Sequence, residues 1–167
     1  MMKTKGFSYF LPYFFLFLII TVRFIGQRVV FFNDYTPFYE LIFIYSWSFI
    51  TQFHWNVFVI AFIGLLRDLI FIDILGTSIM VFVVFVLLIN SQREKIENRG
   101  FLLSWIYFAV ILLVTVGLRL IVFYFFQESH FNTMLWLSLK ESYFSVVSYP
   151  LFFLLFLLPY MQTIKKT

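Results

Sequence analysis

The sequence contains no cysteine and unusually few charged side chains. Without cysteine, the chain has no disulfide, no thiol nucleophile and no thiolate metal site. Charged residues make up 12% of its 167 residues, against about 25% in an ordinary soluble domain. The two histidines, His54 and His130, lie in predicted turns or loops without a second histidine or carboxylate at metal-ligand spacing. We therefore interpret both as polar loop residues.

Apolar residues, by contrast, are abundant. They make up 63% of the chain, with 27 phenylalanines and a mean hydropathy of +0.98. They occur in runs close to twenty residues long, and a span needs about 20 residues to cross roughly 30 Å of hydrocarbon. The sequence thus predicts a polytopic integral membrane protein. The aromatic residues are not confined to interfacial belts, so we attach no function to them.

We predict an all-α fold in which residues 1–167 form a single integral membrane domain of six transmembrane helices. The first apolar run follows two lysines, as in a signal peptide, but it lacks an A-x-A-like cleavage site and is interpreted as a retained helix. Pro12 near its start costs little there. The predicted helices cover residues 7–27, 38–53, 56–72, 75–90, 101–126 and 144–162.

The distribution of basic residues predicts that both termini are cytoplasmic. The inside segments then hold seven lysines and arginines, namely Lys3, Lys5, Arg93, Lys95, Arg99, Lys165 and Lys166. The outside loops hold two, Arg28 and Lys140. The acidic residues assigned to the outside are Asp34, Glu40, Asp73, Glu128 and Glu141.

Two polar segments separate the later helices. Residues 90–100 alternate in charge, with Arg93 and Glu97 at i,i+4 spacing, and are interpreted as a solvated helical turn or a docking point for a cytoplasmic partner. Residues 127–142 are predicted as an outer loop. Its segment "HFNTMLWLSL" either lies in the membrane interface as an amphipathic stretch or contacts an external partner.

Four charged residues fall within the predicted spans, namely Arg23, Arg67, Asp68 and Arg119. At 1.5 Å per residue they lie roughly 17–27 Å from the cytoplasmic start of their helices, in the outer half of the membrane. Either the arginines snorkel to lipid headgroups, or Asp68 faces the bundle interior and pairs with Arg119 or Arg23.

The stretch "GLLRDLIFIDILG" carries most of this pattern. Gly64 lies one turn before Asp68 and would let another helix approach closely, so both belong to a predicted packing face. Arg67, about 100° away, is expected to reach the headgroups, and Asp73 is expected to be solvated. Three arginines against one aspartate leave surplus positive charge for a lipid phosphate, an anionic ligand or an acid on a partner.

Catalytic, metal and cofactor sites are not predicted. The sequence shows no Ser/His/Asp set, no paired catalytic carboxylates, no phosphate-binding glycine loop and no metal cluster. There is also no inverted repeat of the kind found in many transporters.

Several motifs together resemble the rod shape-determining MreD family. Pro37 opens helix two and is followed by Tyr45 in "TPFYELIFIYSW". The segment "AFIGLLRDLIFIDILG" supplies an apolar-Gly-x-x-x-Asp-Leu stretch and then Leu-Gly. A Tyr-Pro pair lies near the predicted start of helix six. The positions that match are Pro37, Tyr45, Gly64, Asp68, Leu69, Leu75, Gly76, Tyr149 and Pro150. The turn departs from the family pattern, since "FID" replaces a common glycine and Arg67 is unusually charged.

The resemblance implies a non-enzymatic scaffold of the bacterial cell-wall elongation complex, located in the inner (cytoplasmic) membrane. It implies as partners an MreC-type bitopic scaffold, the RodA-type glycosyltransferase, a class B penicillin-binding transpeptidase and the MreB filament. Membrane lipid is expected to contact the chain, and no nucleic acid is expected. The resemblance also implies a six-helix fold similar to the S-components of energy-coupling-factor transporters.

Two further hypotheses stay open. An S-component-like subunit would bind a small molecule for uptake, but the bulky residues throughout helix one lack the small-x-x-x-small docking pattern that such subunits share. A membrane enzyme could bind lipid pyrophosphate through the embedded arginines, with Asp68 as the only embedded acid or base. We rank the enzyme last.

Overall fold

The computed structural model describes most of the chain and shows it as helices. The described residues are 5–28, 37–51, 53–71, 74–97, 101–126, 131–152 and 154. Within them lie six helices: α1 (Lys5–Arg28), α2 (Tyr39–Thr51), α3 (Val57–Phe71), α4 (Thr77–Glu97), α5 (Phe101–Phe126) and α6 (Phe131–Phe152). The predicted all-helical architecture is confirmed for this part of the chain.

The last helix differs most from its predicted bounds. It begins at Phe131 rather than at residue 144, so the segment predicted as an outer loop is helical from 131 onwards. Serines, a lysine and a glutamate among its residues lowered its hydropathy and hid it from a search for apolar runs. Residue 153 and residues 155–162 of the predicted helix, together with His130, lie outside the described residues.

Helix α4 also runs further than predicted. It continues through the polar segment to Glu97 instead of ending near residue 90. Most side chains of that segment are good helix formers, so nothing in it stops the helix once it leaves the apolar region. The predicted solvated turn is thus mostly the last turns of α4. Asp34, Asp73, Glu128 and both chain ends lie outside the described residues.

Helix α2 is the central element of the bundle. Helix α2 packs against α1, α4 and α6, while α3 packs against α4 and α1, and α5 packs against α4 and α6. Its residues Leu41, Ile42, Phe43, Ile44 and Tyr45 are all buried. Because helix α2 is apolar on nearly every side, it is suited to this position between other helices.

One end of the bundle, which we call the charged end, collects the embedded charges. Arg23 near the end of α1 bonds to Glu40 at the start of α2. At the other end, Tyr13 near the start of α1 accepts a hydrogen bond from the Asn56 backbone just before α3. Helices α1 and α2 are therefore antiparallel, and the charged end holds the last turns of α1 and α3 and the first turns of α2 and α4.

Away from the charged end, the core is aromatic with a small polar centre. The Tyr45 hydroxyl donates to the Ser104 carbonyl at 2.8 Å, and the Tyr149 hydroxyl lies 3.4 Å from the Ser104 hydroxyl. The Tyr149 ring stacks on Phe108 with ring centroids 4.7 Å apart. Each of these three hydroxyls thus has a partner, which removes most of the cost of burying it.

The outer surface of the bundle is strongly apolar. Phe10, Phe58 and Phe125 are each more than 70% exposed, whereas water-facing surfaces rarely carry large contiguous apolar patches. Among the described helices, Phe101–Phe126 is long and apolar enough by itself to cross a membrane, with a mean hydropathy of 2.6. Shorter apolar helical stretches cover Phe10–Gly26 and Thr77–Gln92.

Candidate functional site

Arg23 lies at the centre of a buried group of ionised side chains. One guanidinium nitrogen donates to both Glu40 oxygens at 3.0 and 2.9 Å, and the other donates to Glu141 at 2.8 Å. Each of the three side chains is at most 7% exposed. Arg23 therefore connects α1 to α2 and to α6 through charge-assisted hydrogen bonds, which are among the stronger polar contacts in proteins.

Two more arginines extend this group on either side. Arg67 of α3 donates to Glu40 at 3.3 Å and also to the hydroxyl of Ser78 in α4. Arg119 of α5 donates to Glu141 at 3.4 Å. We call Arg23, Glu40, Arg67, Arg119 and Glu141 the charged cluster. With Ser78 as a neutral partner, it connects all six helices.

Phenylalanine rings surround the charged cluster. Phe38 lies 5.6 Å from the guanidinium carbons of both Arg23 and Arg119, and Phe71 lies 5.1 Å from that of Arg67. These separations are within the range of cation–π attraction, which strengthens as water is excluded. Some of the phenylalanines to which the sequence assigned no role thus screen the embedded arginines from the apolar surroundings.

Asp68 binds backbone N–H groups, whereas the two glutamates bind arginines. Its carboxylate accepts the backbone N–H of Gly76 at 2.8 Å and that of Ser78 at 3.0 Å. The first N–H groups of a helix have no partner within the helix, and a carboxylate at that end is also favoured by the helix dipole. Asp68 of α3 therefore caps α4 from a neighbouring helix.

The turn before α4 gives Asp68 this geometry. Gly76 adopts a φ of 95°, a left-handed conformation that is unstrained for glycine. One turn before Asp68, a Cβ on Gly64 would lie 2.9 Å from the Ile79 Cα, so α3 and α4 approach each other closely there. The two glycines thus permit the short turn and the close helix packing that bring Asp68 to the start of α4.

The structure changes the predicted partners of the embedded charges. The alternative in which Asp68 pairs with Arg119 or Arg23 is wrong, because these arginines pair with glutamates and Asp68 caps α4. The expectation that Arg67 reaches the headgroups is also wrong, since it is 6% exposed and bonded to Glu40.

The surplus of positive charge is smaller than predicted. Three arginines pair with the two carboxylates of Glu40 and Glu141, which the prediction had not counted as their partners. The sequence interpretation assigned both glutamates to the outside. Both are buried within helices, at 1% and 6% exposure, and are the partners of the arginines.

The remaining family-motif residues lie at three separate places. Pro37 is buried immediately before α2, and its neighbour Phe38 donates its backbone N–H to Ser145 of α6 at 2.7 Å. Leu75 is 65% exposed in the turn before α4. Pro150 was predicted near the start of the last helix. It lies instead inside the last turn of α6.

The sequence did contain a signal that Glu40 and Glu141 are partners of the embedded arginines. Glu40 stands in the first turn of a helix that is otherwise apolar, and Glu141 falls in a segment with helical spacing of apolar residues. Embedded arginines need acidic partners, and intramembrane acids are rare. A search of the sequence for acids within or next to spans would therefore have selected both glutamates as candidate partners.

The cavity that Glu40, Arg67 and Arg119 enclose is very small. A cavity lined by Glu40, Arg67, Ser78 and Arg119, among others, has a volume of about 10 Å³, which is close to the minimum for one water molecule. Over the described residues, no three histidine, aspartate or glutamate side chains are grouped to hold a metal ion. The arrangement can join helices, but it offers little room for a ligand.

A helical bundle with an apolar outer surface and a helix long and apolar enough to cross a membrane is typical of helical membrane proteins. The family model for the rod shape-determining protein MreD matches residues 3–158, nearly the whole chain. The chain belongs to this family, whose members are structural membrane proteins that determine cell shape as part of the MreB–MreC–MreD complex. Searches of curated proteins and of solved structures gave no match.

Proposed function

We propose that the protein is a non-enzymatic scaffold of the cell-wall elongation complex and spans the cytoplasmic membrane six times with both termini inside. The observation that supports this role most directly is the charged cluster. Its carboxylates bind arginines from other helices of the same chain, so these charges serve the architecture of the bundle. A rigid bundle of this kind can present fixed helix faces to partners.

The proposed main partner is an MreC-type bitopic membrane protein. Large exposed side chains on α5 and the first half of α6 provide apolar surface for such a contact, among them Tyr124, Phe125 and Trp136. Aromatic side chains are enriched where protein interfaces are energetically strong. The RodA-type glycosyltransferase, the class B penicillin-binding transpeptidase and the MreB filament are proposed as further members of the same assembly.

The scaffold role is tested by depleting the protein in its native rod-shaped bacterium. We expect cells to widen and become round, and we expect the tagged protein to co-purify with the MreC-type scaffold from mild detergent. Trp136→Ala should weaken co-purification while leaving the thermal stability unchanged. Leu113→Ala, an exposed position at the middle of α5, is the matched control. Cells that keep their width and wall growth after depletion would refute the proposal.

The transporter-like alternative has less structural support. A subunit that captures a small polar substrate needs a pocket of roughly 300–1,000 Å³ with convergent polar groups. The cavity lined by Glu40, Arg67 and Arg119 is about 10 Å³, far below that size. The larger groove beside Arg23, about 450 Å³, is otherwise lined mainly by apolar side chains. Co-purification of a stoichiometric small polar molecule would favour the transporter alternative over the scaffold.

A further inference from the structure

Helix α3 presents a short apolar face to its surroundings. Its large exposed side chains lie between Phe58 and Leu69 and include Phe62. The whole helix has 15 residues, which corresponds to roughly 22 Å at 1.5 Å per residue, and the exposed face covers roughly 16 Å of it. The hydrocarbon of an ordinary bilayer is about 30 Å thick. A membrane-spanning α3 is therefore too short for an ordinary bilayer.

Two other helices of the bundle are short as well. The central helix α2 has 13 residues, or roughly 20 Å. Helix α4 packs against α3, and its apolar stretch Thr77–Gln92 covers roughly 24 Å. Tilting shortens the distance that a helix covers along the membrane normal, so it relieves an excess of length but not a shortage. Neither the neighbouring helix nor a tilt of the bundle therefore supplies the missing length.

Polar groups mark both ends of α3. His54 and Asn56 are exposed just before the helix, and the Asn56 side chain accepts the backbone N–H of Phe58 at 2.9 Å. Near the other end, Arg67 belongs to the charged cluster and is bonded to Glu40. Polar and charged groups are costly to surround with hydrocarbon. The bilayer beside α3 is therefore expected to end close to these two levels.

Helix α5 has the length that α3 lacks. Its 26 residues cover roughly 39 Å, and it is apolar enough to cross a membrane by itself. Its large exposed side chains extend from Phe101 to Phe126. Because α4 packs against both α3 and α5, these two helices lie on different sides of α4. The bundle thus presents apolar faces of unequal height to the membrane.

We propose that the α3 face locally thins the bilayer, and that this thinned lipid surface is the partner of the face. Thinning is an established response of a bilayer to a span that is too short. Snorkelling would need long basic side chains that reach the headgroups, whereas Arg67 is buried and bonded to Glu40. Thinning also brings the hydrocarbon boundary close to the charged cluster. It requires that α3 crosses the membrane, as in the proposed six-span topology.

The test places spin labels on single cysteines, since the chain has no cysteine of its own. Phe58→Cys and Leu69→Cys mark the two ends of the exposed α3 face, at positions that are 86% and 57% exposed. The full chain is reconstituted in phosphatidylcholine bilayers with acyl chains of fourteen, eighteen or twenty-two carbons. Electron paramagnetic resonance then gives the depth of each label below its nearest headgroups. With eighteen carbons the two depths should add up to about 6 Å, against about 14 Å without thinning.

The matched control is Leu113→Cys at the middle of α5, which is 57% exposed like Leu69. Its label should lie deeper with each longer acyl chain, whereas the sum of the two α3 depths should stay nearly constant. A sum near 14 Å, or α3 labels that deepen as much as the control label, would overturn thinning.

The sidedness of the two α3 labels separates thinning from the topology on which it depends. Ascorbate that cannot cross the membrane is added outside vesicles in which the protein has one orientation. It should reduce one α3 label and spare the other. If it treats both alike, α3 does not cross the membrane, and the six-span topology fails together with thinning. Labels on opposite sides whose depths add up to about 14 Å would overturn thinning alone.

Discussion

Neutralising Glu40 is the most informative perturbation of the charged cluster. Its carboxylate accepts two bonds from Arg23 and one from Arg67, at 2.9–3.3 Å, and its side chain is 1% exposed. Glu40→Gln keeps the size of the side chain but removes the charge. It also turns an amide N–H₂ group toward guanidinium N–H groups, so a donor faces a donor.

The expected loss follows from that geometry. Removing one member of a buried ion pair destabilises a protein by about 3–5 kcal/mol, because the remaining charge stays buried without compensation. The exposed control Lys140→Gln, beside Glu141 in sequence, should change stability by less than about 0.5 kcal/mol. The double variant Glu40→Gln, Arg67→Gln should lose at least about 1 kcal/mol less than the sum of the single losses, as coupled residues do.

The assay is reversible unfolding in mixed detergent micelles, followed by near-ultraviolet circular dichroism and repeated for each variant at equal lipid content. A loss of under about 1 kcal/mol for Glu40→Gln, similar to that of Lys140→Gln, would show that Glu40 contributes little net stability. Additive losses in the double variant would separately refute the direct coupling of Glu40 to Arg67.

The same unfolding assay checks three further predictions. Gly64→Val should cost about 1–3 kcal/mol through overpacking, whereas Gly117→Val, in open space, should cost under about 1 kcal/mol; equal effects would contradict the close helix approach. Asp68→Ala should cost about 0.5–2 kcal/mol as a lost cap, with faster amide exchange in the first turn of α4; unchanged exchange would exclude capping. Tyr45→Phe should cost about 1 kcal/mol, since its hydroxyl bonds to the Ser104 carbonyl; no loss would count against that bond.

The sequence alone predicted the helices that consist of long apolar runs, because apolar content can be read from each segment by itself. Long apolar runs predicted a helical membrane protein, and the motif from Gly64 to Gly76 indicated the family whose model matches the chain. Apolar content did not predict the helical segments whose residues are mostly polar. The first half of α6 and the last turns of α4 were interpreted as loops or turns because their hydropathy is low, although their residues still favour helix.

The partners of the embedded charges depend on contacts between distant segments. Arg23 and Glu141 are 118 residues apart in the chain, and Arg67 and Glu40 are 27 apart. Periodicity along one helix indicates which residues share a face, but not which face of another helix they meet. The sequence determined that this protein is a bundle of apolar helices with embedded arginines. Only the tertiary structure assigned those arginines to Glu40 and Glu141 and made Asp68 a helix cap, because helix packing decides which charges come within bonding distance.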